Sequence, residues 1–218
     1  MTETMSTRTI VLASGSAGKL AELAPLFAAQ GMTLVTQAEL GVGPGPEEAP
    51  TFIENALSKA RHVSAATGRP AIADDSGIIV PALGGDPGVH SARYAGVDHV
   101  DDDARDIANN RLLLERMQGI EDRRAVFCCV LVVLRHADDP LPLIAQGHWH
   151  GELLSAPRGE GGFGYDPLFL DPDTSRSAAE LNREEKSSRS HRGRAVRALI
   201  PMLAAMAEPT SEPAGTQG

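Results

Sequence analysis

The order of hydrophobic and polar positions predicts that strands and helices alternate along the chain. Residues 8–13 (RTIVLA) form a short apolar run that breaks at the small, polar segment SGSAGK, and apolar residues then recur at helical spacing from Leu20 onwards. Residues 32–37 predict a second strand, and residues 41–50 have the glycine and proline content of an exposed loop. The chain is therefore expected to open with a strand, a glycine-containing turn and a helix.

The middle of the chain predicts two further helices around one strand. Thr51 is followed three residues later by Glu54, the pattern of a capping box, so a helix is expected over 51–67. The apolar run 71–80 predicts a strand, and after a loop rich in Gly and Pro a helix is expected from 103 to 117.

Two long apolar runs, 125–136 and 142–154, predict central strands in the second half of the chain. The glycine-rich segment 159–172 reads as a loop that feeds a short strand. Ser190 is a good N-cap for the last helix, which Pro201 is expected to kink or interrupt. Because strands and helices are interleaved while the long strands come late, an α/β fold with a mixed sheet is predicted.

Length, composition and charge narrow the functional classes. A chain of 218 residues with 42% hydrophobic residues can bury a real core, and we expect one domain over 1–208 with a disordered tail at 209–218. The net charge of −9 argues against a nucleic acid polymer as partner. We find no signal peptide and no apolar stretch near the roughly 18 residues of a spanning helix. Cys128 and Cys129 are adjacent on a predicted strand and suit packing rather than a disulfide, so a cytoplasmic, reducing setting is expected.

The turn between the first strand and the first helix is a candidate phosphate cradle. Small residues let backbone amides approach a phosphate, and the lysine adds positive potential. The alternative is a simple tight connection, and the spacing is not that of a Walker P-loop. The candidate residues are Ser14, Gly15, Ser16, Ala17, Gly18 and Lys19.

The segment ADDSG is a candidate metal and catalytic site, because ligands of α/β proteins bind at strand ends. Consecutive strand residues face opposite ways, so only one of Asp74 and Asp75 can readily point into a cleft while the other makes structural bonds. Mg²⁺ takes one or two carboxylates from protein, and Glu47 or Glu48 is a candidate for the second. The alternative is that Asp-Asp-Ser-Gly is only a turn.

Two later segments are candidates for binding a base and its phosphates. In GGFGYDP, Phe163 and Tyr165 offer rings that stack on a purine, and Asp166 offers an acceptor; the alternative is a turn with core aromatics. The segment 183–194 gathers basic residues around a helix start, for which a solvated helix face is the alternative. Its cations and histidine are Lys186, Arg189, His191, Arg192 and Arg194.

Two other features are assigned structural roles. His148 and His150 share one strand face but lack a third ligand nearby, and Trp149 between them suits packing. The acidic run 101–103 suits the start of a helix rather than a metal site.

Several of these motifs, taken in order, resemble the inosine triphosphate pyrophosphatase family, which hydrolyses non-canonical purine nucleoside triphosphates. The similarity runs through RTIVLASGSAGKLAEL, TFIENALSKARH, AIADDSGIIV, LGGDPGVHSARYAG, GGFGYDPLF and EEKSSRSHRGRA, and covers nearly the whole chain. It implies an elongated α/β fold with a long mixed, twisted sheet, two lobes with the active-site cleft between them, a homodimer, and release of pyrophosphate with Mg²⁺.

The resemblance also implies roles for individual residues. Asp75 would be the proton acceptor and, with Glu47, a magnesium ligand. The substrate contacts implied are Ser14 to Lys19, Ser76, Phe163, Gly164, Tyr165, Asp166, Lys186, His191 and Arg192. One departure is Ser16, where the family has Asn; a hydroxyl reaches less far and offers one donor instead of two, so phosphate affinity is expected to change first.

Two rival functions stay open on the residues themselves. One is a pyrophosphatase for another altered nucleotide, such as a modified pyrimidine. The other is a nucleotide-sensing protein that keeps the pocket and does not turn over.

Overall fold

The fold is known from a computed structural model that describes residues 8–97 and 101–207, so the tail expected at 209–218 lies outside the described residues. In these two ranges the chain forms seven strands and five α-helices. The strands are β1 (Arg8–Ala13), β2 (Met32–Thr36), β3 (Ala71–Ile79), β4 (Arg124–Leu134), β5 (Leu143–Leu153), β6 (Phe169–Asp171) and β7 (Arg176–Ser177). The helices are α1 (Ala17–Ala28), α2 (Phe52–Thr67), α3 (Asp102–Arg116), α4 (Arg183–Arg189) and α5 (His191–Ala207).

All seven strands join one mixed sheet in the order β2-β1-β3-β4-β5-β6-β7. Strand β1 runs parallel to both β2 and β3, and every later neighbour is antiparallel. The long strands β3, β4 and β5 form the centre. The predicted mixed α/β sheet and its late pair of long strands are confirmed.

Helices cover both faces of the sheet. Helix α2 packs through Ala56, Ala60 and Val63 on the face formed by small and β-branched residues of β1, β3 and β4. Helices α1 and α5 pack on the opposite face, where Leu23 and Leu199 are fully buried. A third cluster lies under α3 around Trp149, so the structural assignment of that residue holds.

The helix ends follow the sequence signals with two differences. Thr51 caps α2 by accepting from the Glu54 amide at 3.3 Å, but its hydroxyl donates to the Glu54 carboxylate at 2.5 Å, so the second bond of the expected capping box is replaced. Ser190 caps α5 through the Gly193 amide at 3.1 Å, and the short helix α4, which the hydrophobic pattern did not predict, precedes it. Of the kink or interruption expected at Pro201, the interruption is wrong, because α5 continues through Pro201 to Ala207.

Strand β5 and the start of α5 approach each other closely at Gly147. A Cβ atom there would lie 2.0 Å from the His191 carbonyl oxygen and 2.5 Å from the Ala195 nitrogen. This glycine therefore sets how near α5 comes to the centre of the sheet. None of the described helices has the length and apolar character that crossing a membrane requires.

Candidate active site

The turn after β1 forms one wall of a cleft of about 590 Å³. Ser16 is the N-cap of α1, its hydroxyl oxygen accepting from the Lys19 amide at 3.3 Å, and the Ser14 hydroxyl accepts from the Ser16 amide at 3.2 Å. Gly18 lies against Phe163, whose Cδ1 would be 2.8 Å from a Cβ at this position. All six residues predicted for the phosphate cradle line the cleft: Ser14, Gly15, Ser16, Ala17, Gly18 and Lys19.

Asp74 and Asp75 lie in the middle of β3, so the expected place at a strand end and the alternative of a turn are both wrong. The two side chains point to opposite faces, as the strand period predicts. Asp74 is completely buried and accepts from Arg192 Nε at 2.7 Å and from Lys19 Nζ at 2.7 Å. The Ser76 hydroxyl adds a bond of 2.8 Å. Although burial opposes its charge, the Arg192 and Lys19 cations hold the pKa of Asp74 well below the usual carboxyl range. Asp74 therefore fixes two cations beside the cleft.

Asp75 belongs to a chain of three charged groups on the α2 face. Lys59 Nζ donates to Asp75 Oδ1 at 2.8 Å and to Glu47 Oε1 at 2.6 Å, so one ammonium group bridges the two carboxylates. The other oxygen of Asp75, Oδ2, is buried without a hydrogen-bond partner. Burial raises the pKa of Asp75 above its usual value against the opposing charge of Lys59. The two carboxylates predicted for the metal are thus brought together, and Lys59 is bonded to Glu47 and not to its neighbour Glu48.

The loop that carries Glu47 is held in place, although its composition predicts an exposed, flexible segment. Asn55 on α2 binds Ala49 through both backbone groups, accepting from its amide at 2.9 Å and donating to its carbonyl at 3.1 Å. Arg93 donates to the Glu47 carbonyl at 2.9 Å. These side-chain contacts set the position of Glu47 relative to Lys59.

The opposite end of the cleft is aromatic and basic. The ring of Phe163 has Lys186 Nζ at 4.9 Å and the Arg192 guanidinium carbon at 5.6 Å from its centroid. Asp166 is buried and accepts from Lys186 Nζ at 2.6 Å and from the Phe163 amide at 2.9 Å. The cations stand over the ring face where they are attracted by its quadrupole.

Tyr165 and His191 are more deeply packed than the stacking and phosphate roles expected of them suggest. Tyr165 is buried and its hydroxyl donates to the Ser91 carbonyl at 2.8 Å, so of the two aromatic residues only Phe163 is partly exposed. His191 stacks on Phe127 with ring centroids 4.7 Å apart. Burial lowers the pKa of His191 well below its usual value, so the imidazole is neutral at pH 7. Both residues still line the cleft.

A second cavity of about 390 Å³ adjoins the cleft, and Phe163, Lys186 and Arg192 border both. Glu22 of α1 lies in its wall and accepts from Lys186 Nζ at 2.6 Å and from Arg192 Nη1. Phe163 therefore stands between two spaces, one beside the phosphate turn and one beside the acidic group of α1.

Three features of the site were missed by reading the sequence. Lys59 has a visible signal, because it falls on the apolar stripe of α2 with Ala56, Ala60 and Val63. Glu22 has none, because its partners lie 164 and 170 residues away. The start of α3 also lines the cleft, including Asp102 and Asp103, for which the sequence predicted only a place at the start of a helix. Asp101 does cap α3, accepting from Ala104 at 2.8 Å.

Several other residues singled out in the sequence lie outside the cleft lining. Cys128 and Cys129 are buried free thiols. His148 and His150 are exposed, and among the described residues no group of three or more metal-binding side chains is found. Arg189 contacts Asp173 at 3.2 Å and Arg194 donates to the His148 carbonyl at 2.9 Å, so both lie away from the base end of the cleft.

Comparison with known proteins gives consistent matches over most of the chain. A profile of the Ham1 family matches residues 10–202. A dITP/XTP pyrophosphatase of Nitrosomonas europaea is 55% identical over 194 residues, covering 89% of this chain and 93% of the relative. The dITP/XTP pyrophosphatase of Escherichia coli O157:H7 is 53% identical, covering 89% and 97%. A HAM1 protein from Coxiella burnetii has a similar structure with a TM-score of 0.82 at 42% identity, covering 91% of this chain and 99% of that one.

Proposed function

The chain belongs to the Ham1 family, and from this premise we propose that its cleft binds a purine nucleoside triphosphate with the phosphates at the Ser14–Lys19 turn and the base at Phe163. The protein is a hydrolase that converts non-canonical purine nucleoside triphosphates, of the kind of ITP, dITP and XTP, to the monophosphate and pyrophosphate. The observation that carries the site assignment is the cleft itself, which has Glu47 and Lys59 in the wall at one end, Asp75 bonded to Lys59 behind that wall, and a ring under two cations at the other end.

The residues at the carboxylate end fit Mg²⁺. Glu47 and Asp75 already share one cation, the Lys59 ammonium, and Asp75 Oδ2 is a buried acceptor without a partner. Two carboxylates with no third ligand suit an ion that takes its remaining oxygens from phosphates and water. When bound, Mg²⁺ would neutralise the triphosphate and favour a nucleophile among its water ligands. We assign Glu47 and Asp75 as its protein ligands.

Asp75 is also assigned as the general base. A base is most effective when its pKa is raised towards the working pH, and burial shifts Asp75 in that direction. Lys59 orients the carboxylate through Oδ1, and in the role of base a water bound with the substrate would have to reach this buried carboxylate. On the phosphate side, the amides of the turn, Lys19 and the Ser76 hydroxyl would hold the oxygens in line.

The base end provides a physical basis for selecting oxopurines. Inosine and xanthosine carry an acceptor at position 6 where adenosine carries a donor, and Lys186 and Arg192 offer donors only. Guanosine shares that acceptor and would be rejected at its 2-amino group. The purine would stack on Phe163 and enter the adjoining cavity of about 390 Å³. His191, Gly164, Tyr165 and Asp166 frame this end. A site of paired hydrogen bonds rejects the wrong pattern strongly.

We also propose that the protein is a cytoplasmic homodimer that binds neither nucleic acid polymers nor membranes. Two buried free thiols suit a reducing compartment, and a net charge of −9 disfavours polyanions. Light scattering coupled to size exclusion tests the assembly, and a mass of 22.9 kDa, that of one chain, would contradict the dimer.

Pyrophosphate release from a nucleotide panel tests the function. With Mg²⁺ we expect ITP, dITP and XTP to be hydrolysed much faster than ATP, GTP or pyrimidine triphosphates, and Asp75→Asn to abolish turnover while binding is kept. Equal rates across the panel, or a preference for modified pyrimidines, would favour the rival pyrophosphatase. Binding without turnover in the unmodified protein would favour the nucleotide sensor. Removal of Mg²⁺ with a chelator should stop the reaction, and full activity without divalent ions would refute the metal assignment.

A further inference from the structure

Helix α3 holds the base-binding loop by both backbone groups of a single residue. Asp106 Oδ2 accepts from the Gly164 amide at 2.5 Å, and Asn110 Nδ2 donates to the Gly164 carbonyl at 2.8 Å. The two side chains are four residues apart and therefore lie on the same face of the helix, one turn from each other. They bind Gly164 as a neighbouring strand would.

The residue held in this way is a glycine in the left-handed region of backbone conformation. Gly164 has a φ of +62°, a conformation that other residues rarely adopt, and it directly follows Phe163. A change in the Gly164 backbone would therefore rotate the ring that separates the cleft from the adjoining cavity. Gly164 also has open space where a side chain would lie, so packing does not fix its backbone and the two hydrogen bonds do.

The same helix also anchors the next part of the loop through Ser91. Asn109 Nδ2 donates to the Ser91 carbonyl at 3.3 Å, and the Tyr165 hydroxyl donates to the same oxygen at 2.8 Å. The Ser91 hydroxyl accepts from the Ile78 amide at 2.9 Å, which ties this segment to β3. Helix α3 thus links the loop at the base end to the strand that carries the two central carboxylates.

We propose that Asp106 and Asn110 are positioning residues that set Phe163 for base recognition, an inference that rests on the proposed function of the cleft. Both side chains bond the Gly164 backbone, and Asp106 also lines the cleft, so their loss should weaken base binding and lower its selectivity while the chemical step at Asp75 is kept. Phosphate binding should be unaffected, because the hydrogen bonds described for Asp106 and Asn110 go to Gly164 and not to the turn at 14–19.

The test measures kcat and KM for dITP and dATP in wild type, D106A, N110A and D106N, with R111A as matched control on an exposed position of the same helix, 77% accessible. We expect D106A to raise KM for dITP about tenfold, the size of one lost hydrogen bond to a charged group, with kcat within about twofold. N110A should act in the same direction. D106N keeps an acceptor oxygen and should restore KM to within about threefold of wild type.

Two further readouts separate positioning from general damage. Preference for dITP over dATP should fall in D106A, while inhibition by inorganic pyrophosphate stays unchanged. Unchanged KM and preference in both D106A and N110A, a loss confined to kcat, or an equal effect of R111A would overturn the proposal. If the wild type hydrolyses no purine triphosphate the proposed function fails, and calorimetric affinity for dITP then tests the role of Asp106 on binding alone.

Discussion

We expect the replacement of Asp74 by Asn to lower stability and the replacement of its neighbour Asp75 by Asn to lower activity. The perturbation is minimal, because Asn has the shape of Asp and removes only the charge and one acceptor. Asp74 accepts from two cations in a fully buried setting, whereas Asp75 has one cation on Oδ1 and none on Oδ2. The pair thus separates stability from chemistry within two consecutive residues.

The magnitudes follow from burial and partners. Removing the Asp74 charge leaves Arg192 and Lys19 without their shared counter-ion, and breaking a buried pair in this way costs about 3–5 kcal/mol. For a chain of this size that lowers Tm by roughly 6–20 °C. In D75N the remaining oxygen can still accept from Lys59, so we expect a stability change within about 1 kcal/mol.

The assay combines thermal unfolding at pH 7 with pyrophosphate release well below the Tm of both variants. D74N should unfold early and keep measurable turnover with a raised KM, while D75N should unfold near the wild-type temperature and lose kcat at least about a hundredfold. Similar Tm losses in the two variants would refute the assignment of opposite roles. Wild-type kcat in D75N would refute Asp75 as the base.

Two further predictions concern packing and acid stability. G147A should be insoluble or severely destabilised, because its Cβ would lie 2.0 Å from the His191 carbonyl oxygen. The control G43A has open space around the new methyl group and should express and unfold as wild type. Equal Tm values for the two variants would contradict this prediction. Burial opposes the charge of Glu22, yet the Arg192 guanidinium holds its pKa below the usual 4.5, so its stabilisation is full above that pH and is lost as pH falls through the folded pKa. E22Q should therefore have a lower Tm at pH 7 and a shallower decline in Tm from pH 5 to 3, and parallel curves would refute it.

The fold was largely predictable because its signals are local. Apolar runs and caps placed β1 to β5 and most of α1, α2, α3 and α5 to within a few residues, whereas the two-residue strand β7 was not predicted. Helix α4 was not predicted, because its seven residues are mostly charged or polar. Its sequence signal is the capping box of Asn182 and Glu185 rather than hydrophobic spacing. Strand order could not be read, since pairing between distant segments is decided by packing.

In the candidate site too, local features were predictable and contacts between distant segments were not. The sequence predicted that Asp74 and Asp75 point to opposite faces of β3, because side chains alternate along any strand. The contacts of Glu22, Lys59 and Asp106 were not foreseen, because each of them depends on which distant elements the folded sheet brings together. Among these three residues, Lys59 alone has a signal in the sequence, because it lies on the apolar stripe of α2.

The docking of α5 over Gly147 determines when the site can be completed during synthesis of the chain. The phosphate turn and both central carboxylates are synthesised early, but the cations at the base end arrive with α4 and α5, more than 100 residues after Asp74. A nascent chain stopped before residue 186 can present the phosphate turn and lacks the cations proposed to recognise the base. Selectivity should therefore appear only once α5 has docked over Gly147, and a partly made chain cannot discriminate among the cell's abundant canonical triphosphates.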